Sequence, residues 1–382
     1  MQLNESNLYE DLRCRVAKLS RVSAGRDVDL VLMPAAGAAR RDGVLRYFTN
    51  AQLWAGRAYG LLHPASREVR VLFASNYEAA WAENSPTLGE VHTVETDEDP
   101  LDRLVDLVRE FVPEGGTIGL VDARTQLSAS EWLRLREELD DLHWVDITDA
   151  VDEMRLIKSP FEVAAMRDLG RILSEATDIF ADTVRPGVRA WEAGAAAEAH
   201  VKASGAFRGW HKFSMDGRPF SMPAPLGRKL TRDDVITFEL DYCGPYGYWC
   251  ELSTVFSFDE LPAEDARRLA LTERAIEESA IAAVPGAPKG VVGEISERIF
   301  RDAGYRVVGA HTRHCHTIGT DDLDRREPLG ETELLRENMV LSYHPATLVE
   351  DGRAFLISDN FVVTSRGAEP LSSRGPAHRI VG

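Results

Sequence analysis

The sequence predicts two domains: an α/β N-terminal domain over 1–152, and an α+β C-terminal domain over 153–382 whose curved antiparallel sheet is covered by helices. Three observations carry this. Up to about residue 150, short β-rich runs alternate with helical patterns. At about 153 the pattern changes to a long amphipathic stretch, and beyond it a pair of helices followed by β runs occurs twice.

In the first domain, "VDLVLMP", "REVRVLFAS", "TIGLVD" and "HWVDIT" read as strands, while "DPLDRLVDLVREFV" and "SASEWLRLREEL" read as amphipathic helices. In the second, Ser159-Pro160-Phe161-Glu162 combines an N-cap serine, a proline at the first helical position and a glutamate three residues after the cap. That combination predicts the start of a long helix. Val163, Met166, Leu169 and Leu173 continue it at helical spacing, and Pro186-Gly187 separates it from a helix at about 190–204. A further helical pair is expected at about 263–284 and 289–303. "DVITFELDYC", "GYWCELSTVFSF", "NMVLSYHPATL" and "AFLISDNFVVT" are the expected strands, and the two halves suggest an internal pseudo-repeat.

Composition excludes some functions. The chain carries 62 acidic and 44 basic residues, a formal charge of -18. A field of that sign repels phosphate backbones and anionic membranes, so neither nucleic acid nor a membrane is an expected partner. The first residues lack a basic head followed by an apolar run, which points to a cytoplasmic protein. Cys14, Cys243, Cys250 and Cys315 are too scattered for a zinc ribbon and too few for a disulfide scaffold, and are expected as free thiols.

Chemistry concentrates late in the chain. "RHCHTIGTDD" and the residues just before it place His311, His314 and His316 within six positions, and "MVLSYHPATL" adds His344. Asp241 lies inside an otherwise apolar strand, a costly place for a carboxylate without a partner. His311 and His314 are expected to cap the strand end or face solvent.

These segments carry a resemblance. "MRLIKSPFEVAAMRDLGRI", "DVITFELDYCGPYGYWCELSTVF", "HCHTIGTDD", "NMVLSYHPATL" and "ISDNFVVTSRGAEPL" resemble, in order, the motifs of the pita-bread superfamily of methionine aminopeptidases, prolidases and creatinase. The metallopeptidase members hold two divalent cations through two aspartates, one histidine and two glutamates. Here Asp241 or Glu239 fills the first aspartate position and Glu251 the second. His316 is retained, His344 takes the first glutamate position, and Ser358, with Asp359 beside it, takes the second. A peptidase histidine is replaced by Met222 or Ser221. The resemblance therefore implies loss of the dinuclear centre, with no metal and no cofactor expected.

Creatinase, which works on this fold without metal, is the closest pattern. "YFTNAQLWAGRAYGLL" is similar to its N-terminal domain, making Arg57 a substrate-carboxylate ligand given to the neighbouring subunit of a homodimer. "DRREPLGETELLREN" makes Arg326, or Arg325 with a one-residue shift, the second such arginine. Glu239 resembles the glutamate that binds the substrate's cationic nitrogen, and His344 opposite it would form an acid–base pair with one of the site histidines titrating near neutrality. The resulting expectation is a metal-independent hydrolase of a C–N bond in a small carboxylate-bearing nitrogen compound. His316, His344, Glu239, Glu251 and Asp241 are its catalytic candidates, and Arg57, Arg326, Ser358 and Asp359 its substrate-binding ones. A mononuclear metalloenzyme using His316, His344 and one carboxylate, as a hydrolase or a lyase, and a non-catalytic binding protein are the alternatives.

Overall fold

The computed structural model describes residues 2–37, 43–95, 97–215, 217, 228–310, 314–325, 329–345, 347–373, 375 and 377–382. The chain divides into two compact units, residues 1–156 with 320–326, and residues 157–319 with 327–382.

The first unit runs α1 (Glu5–Ala24), β1 (Leu30–Ala36), α2 (Gly43–Thr49), β2 (Arg57–His63), β3 (Glu68–Phe73), α3 (Asn76–Glu83), β4 (Glu90–Thr93), α4 (Pro100–Phe111), β5 (Thr117–Leu120), α5 (Ala123–Gln126), α6 (Ala129–Glu138), β6 (His143–Asp146) and α7 (Thr148–Leu156). Its six-stranded sheet has the order β4-β3-β2-β1-β5-β6; β2 is antiparallel to both its neighbours and the other pairs are parallel. The capping chemistry read from "SASEWLRLREEL" is present as a reciprocal Ser128–Glu131 box, and Asp99 caps α4 ahead of Pro100. Leu104, Leu107 and Val108 of α4 and Leu135 of α6 bury against Leu30, Leu32 and Ile118 of the sheet.

The segment 320–325 is held in this unit by charge. Arg155 Nη2 lies 2.5 Å from Asp321 Oδ2 and 2.9 Å from Asp324 Oδ1, with all three side chains at most 3% exposed. Gly43 N donates to Asp321 Oδ1, and a Cβ at Gly43 would come within 2.4 Å of the Thr320 carbonyl oxygen, so only glycine fits there.

The second unit runs α8 (Pro160–Thr183), α9 (Ala190–Ala203), β7 (Arg208–Met215), β8 (Val235–Cys243), β9 (Trp249–Ser257), α10 (Ala263–Ala282), α11 (Val291–Asp302), β10 (Val307–Ala310), β11 (Cys315–Thr317), β12 (Val340–Tyr343), β13 (Thr347–Val349), β14 (Asp359–Thr364), β15 (Gly367–Pro370) and β16 (His378–Ile380). The predicted Ser159 capping box forms, and α8 inserts Phe180 against Phe238 of β8, rings stacked 3.8 Å apart. The curved sheet is resolved as two four-stranded sheets, β16-β9-β8-β7 and β11-β12-β14-β15, with a separate β10–β13 pair. They join where β9 meets the chain entering β14. Ser253 N donates to Ser358 O, and the Asn360 side-chain amide donates to Glu251 O at 2.6 Å while its Oδ1 accepts from Glu251 N. The run "AFLISDNFVVT", expected as one strand, begins β structure only at Asp359, because the residues before it turn their hydrogen bonds to Ser253.

Removing one partner from a buried ion cluster leaves the others charged and uncompensated, at a cost of about 3–5 kcal/mol. Arg155→Ala should therefore lower unfolding stability by about that amount in urea titrations followed by tryptophan fluorescence, whereas Arg124→Ala, at an exposed side chain, should change it by less than about 0.5 kcal/mol.

Candidate active site

Strand alternation collects the site. Glu239 and Asp241 are two apart on β8 and share a face; register sets Glu251 of β9 opposite Asp241, and Lys212 of β7 opposite Glu239. Gly209, at φ +142, lets β7 lie close on β8, since a Cβ there would come within 2.4 Å of the Asp241 carbonyl. From the other sheet, His316 of β11 pairs with Ser342 of β12, Ser342 pairs with Asn360 of β14, and His344 follows β12 directly. Glu239, Asp241, Glu251, His316, His344 and Ser358 are all buried.

The nest has two halves. In one, Lys212 Nζ lies 2.7 Å from Asp241 Oδ2 and 3.2 Å from Glu239 Oε2, and Ser358 Oγ donates to Glu239 Oε1 at 3.3 Å. In the other, Glu251 Oε1 lies 3.3 Å from His316 Nε2, and Glu251 Oε2 accepts from Ser342 Oγ at 2.7 Å. His316 Nδ1 donates to the Thr317 carbonyl at 3.0 Å, which directs Nε2 at the carboxylate. The His316 and His344 rings are 5.0 Å apart, and one ligand atom each from Glu251, His316 and His344 lie within 4.8 Å of one another.

This environment separates the protonation states. Burial pushes the Glu239 carboxyl up to about 7; Lys212 opposes the rise while Asp241 and Glu251 add to it. For Glu251, burial acts in the same direction, but His316, with His344 and Lys212, outweighs it and holds the carboxylate well below its usual range. Burial would lower the Lys212 ammonium, yet Glu239, Asp241 and Glu251 raise it. Burial, with His316 alongside, lowers His344 to about 4, so its ring is neutral at neutral pH.

Expectations for His344, Asp359 and His314 are corrected here. His344 is not a near-neutral group, whereas Glu239 is, because desolvation drives a carboxyl up and an imidazole down. No hydrogen bond joins His344 to Glu239 among the described residues; His344 sits instead with Glu251 and His316. Asp359 also stays out of the nest: it follows Ser358 on extended chain, and its carboxylate accepts from Ser372 Oγ and Asn360 N. His314 is largely buried beside Glu297, and its carbonyl accepts from His344 N, so it positions His344 and does not face solvent. Arg57 lies in the first unit, where its guanidinium pairs with Glu131 and donates to Gln126 O. Arg326, Met222, Ser221 and His311 lie outside the described residues. The sequence reading missed Lys212, Ser342 and Asn360. Only Lys212 left a signal, as a charge within the β-like run "RGWHKFSM".

Residues 164–365 match the model of metallopeptidase family M24, and residues 15–157 match that of the creatinase/prolidase N-terminal domain. The chain belongs to metallopeptidase family M24. It is 24% identical over 327 residues to an uncharacterized peptidase of Staphylococcus haemolyticus, an alignment covering 83% of this chain and 88% of that protein. A Xaa-Pro dipeptidase of Lactobacillus helveticus is 24% identical over 307 residues, covering 78% of this chain and 82% of the relative. The pita-bread fold is shared with the X-Pro aminopeptidase from Thermotoga maritima, at a TM-score of 0.77 and 19% identity over 92% of this chain and 97% of that one. It is shared also with the prolidase from Thermococcus sibiricus, at 0.79 and 18% over 96% and 98%.

Within this M24 chain, the dinuclear metal set that the motif resemblance implies does not fit. By the motif resemblance the two glutamate positions carry His344 and Ser358, and the Ser358 hydroxyl is already donating to Glu239. Between the β8 carboxylates stands the Lys212 ammonium, a cation the chain itself supplies.

A carboxyl raised to about 7 keeps its proton in the folded chain after the unfolded chain has released it, so its stabilising contribution is full below about 4.5 and is lost as pH rises through about 7. Glu239→Gln should remove a carboxyl titration near pH 7 from the carbon-13 NMR spectrum of glutamate-labelled protein. It should also flatten the fall in unfolding midpoint across that interval. A near-neutral carboxyl persisting in the variant would assign the titration elsewhere.

Proposed function

We propose that this M24 chain is a hydrolase that cleaves a C–N bond in a small carboxylate-bearing nitrogen compound, using its own acid–base groups. One observation carries the reading: two carboxyl groups of one buried nest are driven apart, Glu239 up to about 7 and Glu251 well below the carboxylate range. Such separation is how one site supplies both a proton carrier and a fixed negative charge at neutral pH. In the proposed reaction Glu239 takes a proton from water as the water oxygen bonds to carbon. The C–N bond breaks and the leaving nitrogen takes up the proton that Glu239 accepted from the water. Glu251 orients His316, and Lys212 holds Asp241 in an ion pair beside Glu239.

The substrate class is drawn partly from the relatives. An Xaa-Pro dipeptide, the substrate named for the Lactobacillus helveticus relative, is itself a small carboxylate-bearing nitrogen compound, as are guanidino acids and N-substituted amino acids. Carboxylate recognition by Arg57 of a second subunit in a homodimer, together with Arg326, belongs to this proposal, as does a cytoplasmic setting. No helix among the described residues is long and apolar enough to cross a membrane.

A second reading is favoured by a separate observation, the convergence of Glu251, His316 and His344 within 4.8 Å. Two imidazoles and one carboxylate suit a single divalent transition metal. Such an ion, when bound, would supply Lewis-acid activation of water.

The deciding experiment is a turnover screen of Xaa-Pro dipeptides, guanidino acids and N-substituted amino acids by amine or ammonia release, with and without exhaustive chelation. Under the first reading one of these is cleaved, activity survives chelation, and Glu239→Gln and His316→Ala each lower kcat about 100-fold or more with the fold retained. Activity lost to chelator and restored by one transition metal establishes the second. Binding without turnover across the whole screen overturns both.

A further inference from the structure

The disagreement between this site and a dinuclear centre has a definite location. Lys212 enters from β7 directly opposite Glu239 and sets its Nζ within 3.2 Å of one β8 carboxylate and 2.7 Å of the next. Its side chain is 16% exposed, while Glu239 and Asp241 are 5% and 2% exposed. An ammonium is a compact point charge with three donors, and two adjacent buried carboxylates are a hard-oxygen site for a small divalent cation. Both occupants would be held by the same oxygens.

We propose that Lys212 is an intramolecular replacement for one of the two cations of the M24 centre, so that the chain takes up at most one divalent ion, and that removing its ammonium opens a cation site on Glu239 and Asp241. The inference holds whichever bond the enzyme cleaves, and its test reads metal binding alone. Full-length protein is stripped with chelator, dialysed, titrated calorimetrically with Mn2+, and its bound metal counted by mass spectrometry. The wild type should bind no more than one equivalent. Lys212→Ala should bind one more than wild type, with an unfolding midpoint that drops in metal-free buffer and recovers when Mn2+ is added. Lys212→Arg, which keeps a cation in place, should gain none. Adding Glu239→Gln and Asp241→Asn to Lys212→Ala should abolish the extra equivalent.

Two equivalents in the wild type would overturn the proposal, as would a folded Lys212→Ala protein that gains none. A Lys212→Ala chain that folds neither alone nor with Mn2+ counts against it equally, because a cation able to replace the ammonium should rescue folding. An extra equivalent that survives loss of both carboxylates lies elsewhere, and the assignment fails.

Discussion

Burying three carboxylates within one nest is the constraint on which the second unit is organised, and the Lys212 ammonium is what makes it tolerable. Isolated carboxylates in a low-dielectric interior cost several kcal/mol each even after relaxation. Lys212 contacts two of them directly and acts on the third. The compensation is incomplete, and the shortfall is visible: Glu239 is driven toward its protonated form, while Asp241, with the shorter contact to Nζ, keeps the ion pair. On the far side, His316 and His344 compensate Glu251. The nest is thus a polarised arrangement, cation at one edge and imidazoles at the other, with the titrating carboxyl beside the cation.

That polarity depends on how the two sheets meet. Glu251 stands on β9 with its backbone clasped by the Asn360 amide and its carboxylate held by Ser342, so β12 and β14 of one sheet fix a residue of the other. Ser358 performs the matching service for Glu239 while bonding the backbone of Ser253. Where glutamates at these positions would bring further negative charge, a serine and a histidine bring neutral donors. The fold is retained because the backbone clasp uses Asn360 and main-chain groups, which do not depend on what the metal-ligand positions carry.

Much of this was legible in the sequence, for identifiable reasons. The Ser159 and Ser128 helix starts are local capping chemistry, and both appear as read. Glu239, Asp241, Glu251, His316 and His344 were picked out by residue type against apolar strand patterns and by motif order, and they do converge. What was not legible is pairing. Lys212 is one charge in the run "RGWHKFSM" until register sets it opposite Glu239, and register between β7 and β8 is a tertiary property that neither segment encodes alone. The same limit explains Asp359. Its neighbour Ser358 faces the nest, and one step along extended chain reverses the side chain's direction.

The protonation states of Glu239 and His344 were not legible for a related physical reason. Reference pKa values make histidine the obvious candidate for a neutral-pH role, but they describe solvated groups. In a buried nest, desolvation moves acids up and bases down, so a glutamate and a histidine can exchange places on the pH scale without any change in residue type. Glu239 and His344 have done so here, at about 7 and about 4. Losing a histidine-based proton carrier therefore does not empty a site of acid–base capacity, provided a carboxyl is buried beside a cation that another carboxylate binds more closely. Lys212, held 2.7 Å from Asp241 and 3.2 Å from Glu239, supplies that condition.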